Sequence, residues 1–411
     1  MPVWAALLMT LALVASACGD DDDGGETAAP ASTSGSAETT TSSAGQKATG
    51  EPIKIGSIVE VDSKIFSSPE VVAAHDAYAE YVNEELGGVN GRPIEIVNCD
   101  DHGDPGQNAG CAQQLIDDGV VAFVDNTTSQ LGSNGMPLIE AAGIPAVGGS
   151  PQSGAEYSSD YNFPTIGGGA GTYPAISVYF AENGAKTMNI VYPDIAPGKA
   201  SAEGAAAAFE AAGGEEAFLV AFDPAAPDFT PALTTATANG ADVTVLLTSQ
   251  NWAVRLVQAA DIAGLEGDLV LPGAANTPEV IEAAGPAIEG AFFSSAFLLP
   301  TDDDPEVREF VEVMERYAPD LEIREKVQNS AASVDLLVRM MERAEEEAGE
   351  ITPASILAAL SSVAEESLLM AHAWGPELAP AQLPKVWNPY YVIVRYQDGE
   401  YSQVSDWVAG L

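Results

Sequence analysis

The residues able to do chemistry are few and scattered. His75, His102 and His372 are the only histidines in 411 residues, and no two stand at an H-x-x-x-H or comparable spacing. His75 falls inside a run of helical periodicity, where a half-buried structural role accounts for it. DDHGDP, 100–105, gathers three carboxylates. It has neither the spacing nor the closing glutamate of a calcium loop, so it reads as a solvated turn entering a helix. GGSPQSG, around Ser150, lacks the G-x-S-x-G elbow that exposes a nucleophilic serine. GGGAG, 167–171, has no following Lys-Ser/Thr and no dinucleotide-binding spacing, which leaves a hinge or tight turn. NTTSQ, 126–130, is different: it follows a buried run and offers hydroxyls and a helix start suited to a carboxylate or carbonyl. Catalysis needs convergent groups with matched roles, and none are assembled here. The expectation is a chain that holds a small molecule, with no enzymatic activity, cofactor or metal.

The N-terminal part has its own character. Residues 1–17, MPVWAALLMTLALVASA, carry no charged side chain and end in Ala15-Ser16-Ala17, small residues of the kind a signal peptidase requires. The apolar run is shorter than the roughly 20 residues that span a bilayer as a helix. Cys18 follows, then GDDDDGGETAAPASTSGSAETTTSSAGQKATG, 19–50, too poor in apolar bulk to offset the entropy of ordering. This arrangement resembles the processing site of bacterial lipoproteins, although Ala15 replaces the preferred leucine. The resemblance implies cleavage of a signal peptide over 1–17, acylation of Cys18, and a disordered tether over 18–50. The folded part would then be anchored by membrane lipid on the extracytoplasmic face. Cys99 and Cys111 close a short loop. In an exported protein a disulfide is the first reading, with two free thiols or a metal site sharing His102 as the alternatives.

Charge excludes some partners. Fifteen Lys+Arg against 61 Asp+Glu give −46, a surface that repels nucleic acid and anionic headgroups. The acid is spread through the chain, so it marks solubility or habitat more than ligand.

Elements able to position a site begin near residue 53. β-Branched runs such as IKIGSIVEV, PIEIVNC and VVAFVD alternate with helical runs such as PEVVAAHDAYAEYVNEEL and GQNAGCAQQLIDDG. Ser68 and Pro69 mark a helix start. A second series runs from about Thr172: the strands TMNIVYP, EAFLVAF, DVTVLLT and DLVLPG alternate with helices, and the strand EGAFFSSAF follows DLVLPG directly. Three helical stretches follow, one of them starting at VQNSAAS, and then a hairpin turning at Gln397-Asp398-Gly399. Such alternation predicts an α/β fold with parallel sheets covered on both faces. Ligands of such sheets sit beyond the carboxyl ends of the strands, which draws attention to the loops there.

The stretches PIKIGSI (52–58), YVNEELGGVNGRPIEIVNCDDHGDP (81–105), CAQQLIDDGVVAFVDNTTS (111–129), GIPAV (143–147), DFTPALTTATANGADVTVL (228–246) and AAGPAIEGAFFSS (283–295) together resemble one family. It is the branched-chain amino-acid-binding-like (Leu/Ile/Val-binding-like) group of type I substrate-binding proteins of ABC transporters. The resemblance implies the type I periplasmic binding protein fold, two Rossmann-like lobes joined by a three-crossing hinge. Lobe 1 would take 51–168 and about 300–411, lobe 2 169–299. The implied protein is a monomer that closes on a solute and delivers it to an ABC permease. A cell-surface enzyme on a similar scaffold, or a sensory lipoprotein, is the alternative.

The resemblance also implies a site. Thr128, Ser129, Ser150, Pro151 and Gln152 would hold a ligand carboxylate by hydroxyl and backbone groups, although Pro151 has no N–H to give. In lobe 2, Pro197 stands where amino-acid binders carry an aromatic residue, and Gly273 where they often carry an acid for the ammonium. Gln250, Asn251, Trp252 and Asn276 are the replacement contacts. Loss of the acid at 273 favours an amide, a carboxylic acid or another small polar metabolite over a standard zwitterionic amino acid.

Overall fold

The computed structural model describes residues 47–63 and 67–410. The expected signal peptide, Cys18 and the expected tether up to residue 46 lie outside the described residues. Residues 47–50, expected in the tether, instead join the fold: Ala48 is buried and its N–H donates to Asn83 O at 2.8 Å.

The first series of alternations gives β1 (Ile53–Val59), α1 (Pro69–Glu84), β2 (Ile94–Asp100), α2 (Pro105–Asp117) and β3 (Ala122–Val124). It continues through α3 (Met136–Ala142), β4 (Ala146–Val147), α4 (Gly154–Ser158) and β5 (Asn162–Phe163). These strands form a sheet in the order β2-β1-β3-β4-β5, every neighbouring pair parallel. In β1 only Lys54 is exposed, as expected of a strand covered on both faces. Ser68 precedes α1 as predicted, yet its hydroxyl makes no cap; it accepts from Lys326 Nζ at 2.9 Å.

The second series gives α5 (Gly168–Glu182), β6 (Thr187–Pro193), α6 (Ala196–Ala211), β7 (Glu216–Phe222), α7 (Thr230–Asn239) and β8 (Val243–Leu246). After it come α8 (Gln250–Ala263), β9 (Asp268–Leu271), α9 (Pro278–Ala284) and β10 (Phe292–Ser295). The chain then makes α10 (Pro305–Tyr317), α11 (Glu325–Ala348), α12 (Pro353–Ser361), β11 (Tyr390–Gln397), β12 (Glu400–Gln403) and β13 (Val408–Ala409). The second sheet runs β12-β11-β10-β9-β8-β6-β7, parallel from β10 to β7, with β13 paired to β11.

Helices α10–α12 pack with α1 and the first sheet in one apolar cluster that includes Phe310, Leu337 and Trp374. The hairpin departs from the expectation that 300–411 goes with the first lobe. β11 pairs antiparallel with β10, and so extends the second sheet. Its run of Tyr391, Val392, Ile393 and Val394 is buried in the apolar clusters on the faces of the sheet, and the free edge of β10 satisfies its backbone. The chain thus passes between the sheets three times: after β5, after β10 and before β11.

The GGGAG run belongs to the first passage, although α5 starts at Gly168 and not after the glycines. Gly168 has φ +55°, and a Cβ there would lie 2.2 Å from Pro151 O. Only glycine lets the passage come this close to the 148–153 loop. Cys99 of β2 and Cys111 of α2 form a disulfide with Cα atoms 5.7 Å apart, fastening helix to strand. Among the described residues no helix is long and apolar enough to cross a membrane.

Candidate functional site

At the carboxyl edge of the first sheet, Glu60, Asp101 and Asp125 follow β1, β2 and β3 and are fully buried. Unpaired charge at that depth is costly, and each carboxylate is supplied with donors. Ser129 donates to Glu60 Oε2 from its N–H at 3.0 Å and its hydroxyl at 2.8 Å. Asp101 accepts from the Thr128 hydroxyl and from Asn108 Nδ2 at 2.7 Å. Asp125 accepts from Asn329 Nδ2 at 2.8 Å and Ser330 Oγ at 2.6 Å, both on α11. Behind it His75 Nε2 lies 3.3 Å away, and His75 Nδ1 is 2.8 Å from Asn98 Oδ1. His75 is therefore structural, and fully buried where a half-buried position was expected.

Two readings change here. DDHGDP is not wholly solvated: Asp101 points inward, while Asp104 caps α2 by accepting from Gln107 N–H at 2.9 Å. Thr128 and Ser129 have the hydroxyls the sequence suggested, but both are engaged by this chain's own carboxylates. In the adjoining loop Ser150 is half-buried, Pro151 is buried and Gln152 is exposed. Pro151 O accepts from Tyr157 Oη at 2.9 Å, and Gln152 N–H donates to the buried Glu156 at 3.3 Å. Burial pushes the Glu156 carboxyl up to about 7 despite hydrogen bonds from Ser153 and Gln152.

The second sheet carries the open space. A cavity of about 490 Å³ lies at the carboxyl ends of β9 and β10, lined by Gly273, Asn276, Ser294, Arg324, Glu325 and Tyr401 among others. Gly273 N–H donates to Ser294 Oγ at 3.3 Å, and Asn276 accepts from Tyr401 Oη. Glu325, first residue of α11, accepts from Ala296 N–H at 3.0 Å. Burial pushes its carboxyl up to about 7, against the Ala296 hydrogen bond and the charge of Lys326. Tyr173 and Tyr391 stand beside it, with Tyr157 next to both, and burial pushes all three phenols far above the ordinary range. Tyr391 Oη accepts from Gly167 N–H at 3.1 Å, tying the cluster to the first passage.

Of the residues expected in the second lobe, Gly273 and Asn276 line the cavity. Pro197 is exposed in the first turn of α6. Gln250 and Asn251 open α8, and Trp252 packs edge-on against Phe222 at 5.8 Å. Glu325 and the three tyrosines went unread in the sequence. The helical period starts it at Val327, and an acid at a helix N-terminus is an ordinary stabilising choice that gives no hint of a cavity.

Residues 52–393 match the family described as periplasmic binding protein. No curated protein matches the chain. Among solved structures, the leucine binding protein LivK of Thermotoga maritima is 18% identical, with a TM-score of 0.73 over 87% of this chain and 98% of that one. The fatty acid ABC transporter substrate-binding protein of Thermomonospora curvata is 20% identical, with a TM-score of 0.74 over 89% and 94%. LivJ of Streptococcus pneumoniae, in complex with isoleucine, is 20% identical, with a TM-score of 0.71 over 87% and 100%. The likeness to these three is one of fold.

Proposed function

The chain belongs to the periplasmic binding protein family, an extracytoplasmic solute-binding protein with the type I fold, and on that premise we propose that it closes on a small polar metabolite and delivers it to an ABC permease. The proposed ligand is an amino acid, amide or carboxylic-acid-like molecule, held between the lobes. The observation that carries this is the cavity of about 490 Å³ at the carboxyl ends of β9 and β10, beside the passage into α10–α12. Its volume suits a small metabolite, and serine, asparagine, arginine and glutamate side chains supply the few polar contacts that orient one. The ligands named for the similar proteins, leucine, isoleucine and fatty acid, support a carboxylate-bearing class. Anchoring through an acylated Cys18 is part of the same proposal, and the run of small residues before that cysteine supports it.

Thermal-shift screening over amino acids, amides, organic acids and ureas, followed by calorimetry on the hits, tests the reading. A true ligand at a hundred times its Kd stabilises by about 2.7 kcal/mol, which raises Tm by roughly 4 °C in a fold of this size. A screen in which no such metabolite raises Tm overturns the proposal.

A further inference from the structure

Two loops at the carboxyl edge of the first sheet spend their donors on acids of the same chain. After β3, the Ser129 N–H and hydroxyl converge on one oxygen, Glu60 Oε2, at 3.0 and 2.8 Å. That hydroxyl accepts from Gln130 Nε2 at 3.1 Å, so its own proton is committed to Glu60. The second oxygen, Oε1, accepts from the Ser63 hydroxyl, and a Cβ built on Gly103 would lie 2.6 Å from it. The Glu60 carboxyl is thus enclosed by the loops after β1, β2 and β3, and the residue is fully buried. The Thr128 hydroxyl goes to Asp101, and that of Thr127 to Asp125 O at 3.2 Å. After β4 the arrangement recurs: the Gln152 N–H and Ser153 hydroxyl converge on Glu156 Oε2 at 3.3 and 2.8 Å. Among the described residues of the two loops, Ser150 alone keeps a hydroxyl with no partner in the chain.

An N–H and a hydroxyl that meet at one oxygen are what a carboxylate needs. Here the occupant is built in. A ligand carboxylate at this edge would find those donors taken and would lie over Glu60, Asp101 and Asp125, all fully buried. The basic groups beside them are engaged: His75 is 3.3 Å from Asp125, and Lys326 is held by Glu70 at 3.0 Å and by Ser68. An uncharged group meets neither obstacle. The Ser150 hydroxyl can donate to a carbonyl or accept from an N–H, which suits an amide.

We propose that Glu60 is a specificity-determining residue, a built-in occupant of the donors that would otherwise hold a carboxylate, so that the ligand meets the first sheet with an uncharged group. The inference rests on the solute-binding reading above and narrows its ligand class, excluding a carboxylate at this edge even though likeness of fold alone favours one.

The first test needs no natural ligand. Glu60→Ala removes the built-in carboxyl and should leave room for acetate, the fragment deleted. Acetate should raise the Tm of E60A by a few degrees over an equal concentration of chloride, leave the wild type unmoved, and lose its effect in Glu60→Ala/Ser129→Ala. The second test sets 4-methylpentanamide against 4-methylpentanoate, and benzamide against benzoate, by calorimetry on the full-length protein. The wild type should bind the amides at least about tenfold more tightly, and E60A should erase that gap. Ligand-free Tm reports whether E60A folds. Glu60→Gln, which keeps the shape and an acceptor for Ser129 without the charge, should narrow the gap in either case. Acids that bind the wild type as tightly as amides, a folded E60A indifferent to acetate, or an E60Q with the gap unchanged overturns the inference and leaves the solute-binding reading standing. Failure of both members of every pair, and of the amino acids and ureas of the wider screen, removes the reading on which it rests.

Discussion

Glu156 is 3% exposed, and its carboxyl receives the Ser153 hydroxyl at 2.8 Å. That contact favours the ionised form, but loss of water disfavours it more, and the carboxyl rises from 4.5 to about 7. The sign for stability follows. A carboxyl raised on folding binds its proton more tightly in the native state, so native protein holds more protons than unfolded chain between these two values. The stabilisation is complete below 4.5 and disappears as pH climbs through 7. Glu156→Gln keeps the shape and removes the titration. Urea unfolding at pH 5 and pH 8 should show the wild type losing roughly 2–3 kcal/mol more than the variant over that interval. Equal losses in the two proteins would show that Glu156 does not carry this dependence.

The elements divide into those local pattern announces and those it does not. β-Branched runs and the helical period marked most of the β-α alternation from β1 to β10, but α4, β5 and α9 went unread, since such short elements hold too few residues to show a period. The same signals identified β11 as a strand but not its partner. Pairing with β10 joins residues far apart in sequence, and nothing local encodes which edge is free. The site shows the same limit. The hydroxyls of Thr128 and Ser129 were visible as residue types, but their engagement by Asp101 and Glu60 depends on three strand ends meeting. Glu325 was hidden because its surroundings come from Gly273 and Ala296, on the other lobe's edge and in a passage. The cysteines were more legible, since a short loop limits what two thiols can do. Replacing Cys99 and Cys111 by alanine frees α2 from β2 in the unfolded chain, and should lower stability by about 3 kcal/mol in urea titrations under oxidising conditions. A double variant as stable as the wild type would place the fastening elsewhere.

For the whole molecule, the acidic surface and the polar segment after Cys18 suit a trap that works in water beside a membrane. The fold begins by Lys47, whose ammonium pairs with Glu84. Mass spectrometry of protein extracted from membranes should find residues 1–17 absent and Cys18 carrying acyl groups, and Cys18→Ser should move the protein to the soluble fraction. An intact, unmodified N-terminus would rule the anchor out.

The return of the last strands to the second sheet has a consequence in time. Neither lobe is encoded by one uninterrupted stretch. The first lacks α10–α12 until the second has been passed, and β10 has an unpaired edge until β11 arrives. A chain emerging N-terminus first therefore reaches residue 389 with both cores incomplete. Contacts of such wide sequence separation form slowly, because the loop they close is long. For a protein that works outside the cytoplasm, late closure keeps the polypeptide threadable while it is being moved, and reserves folding for the side where the disulfide forms.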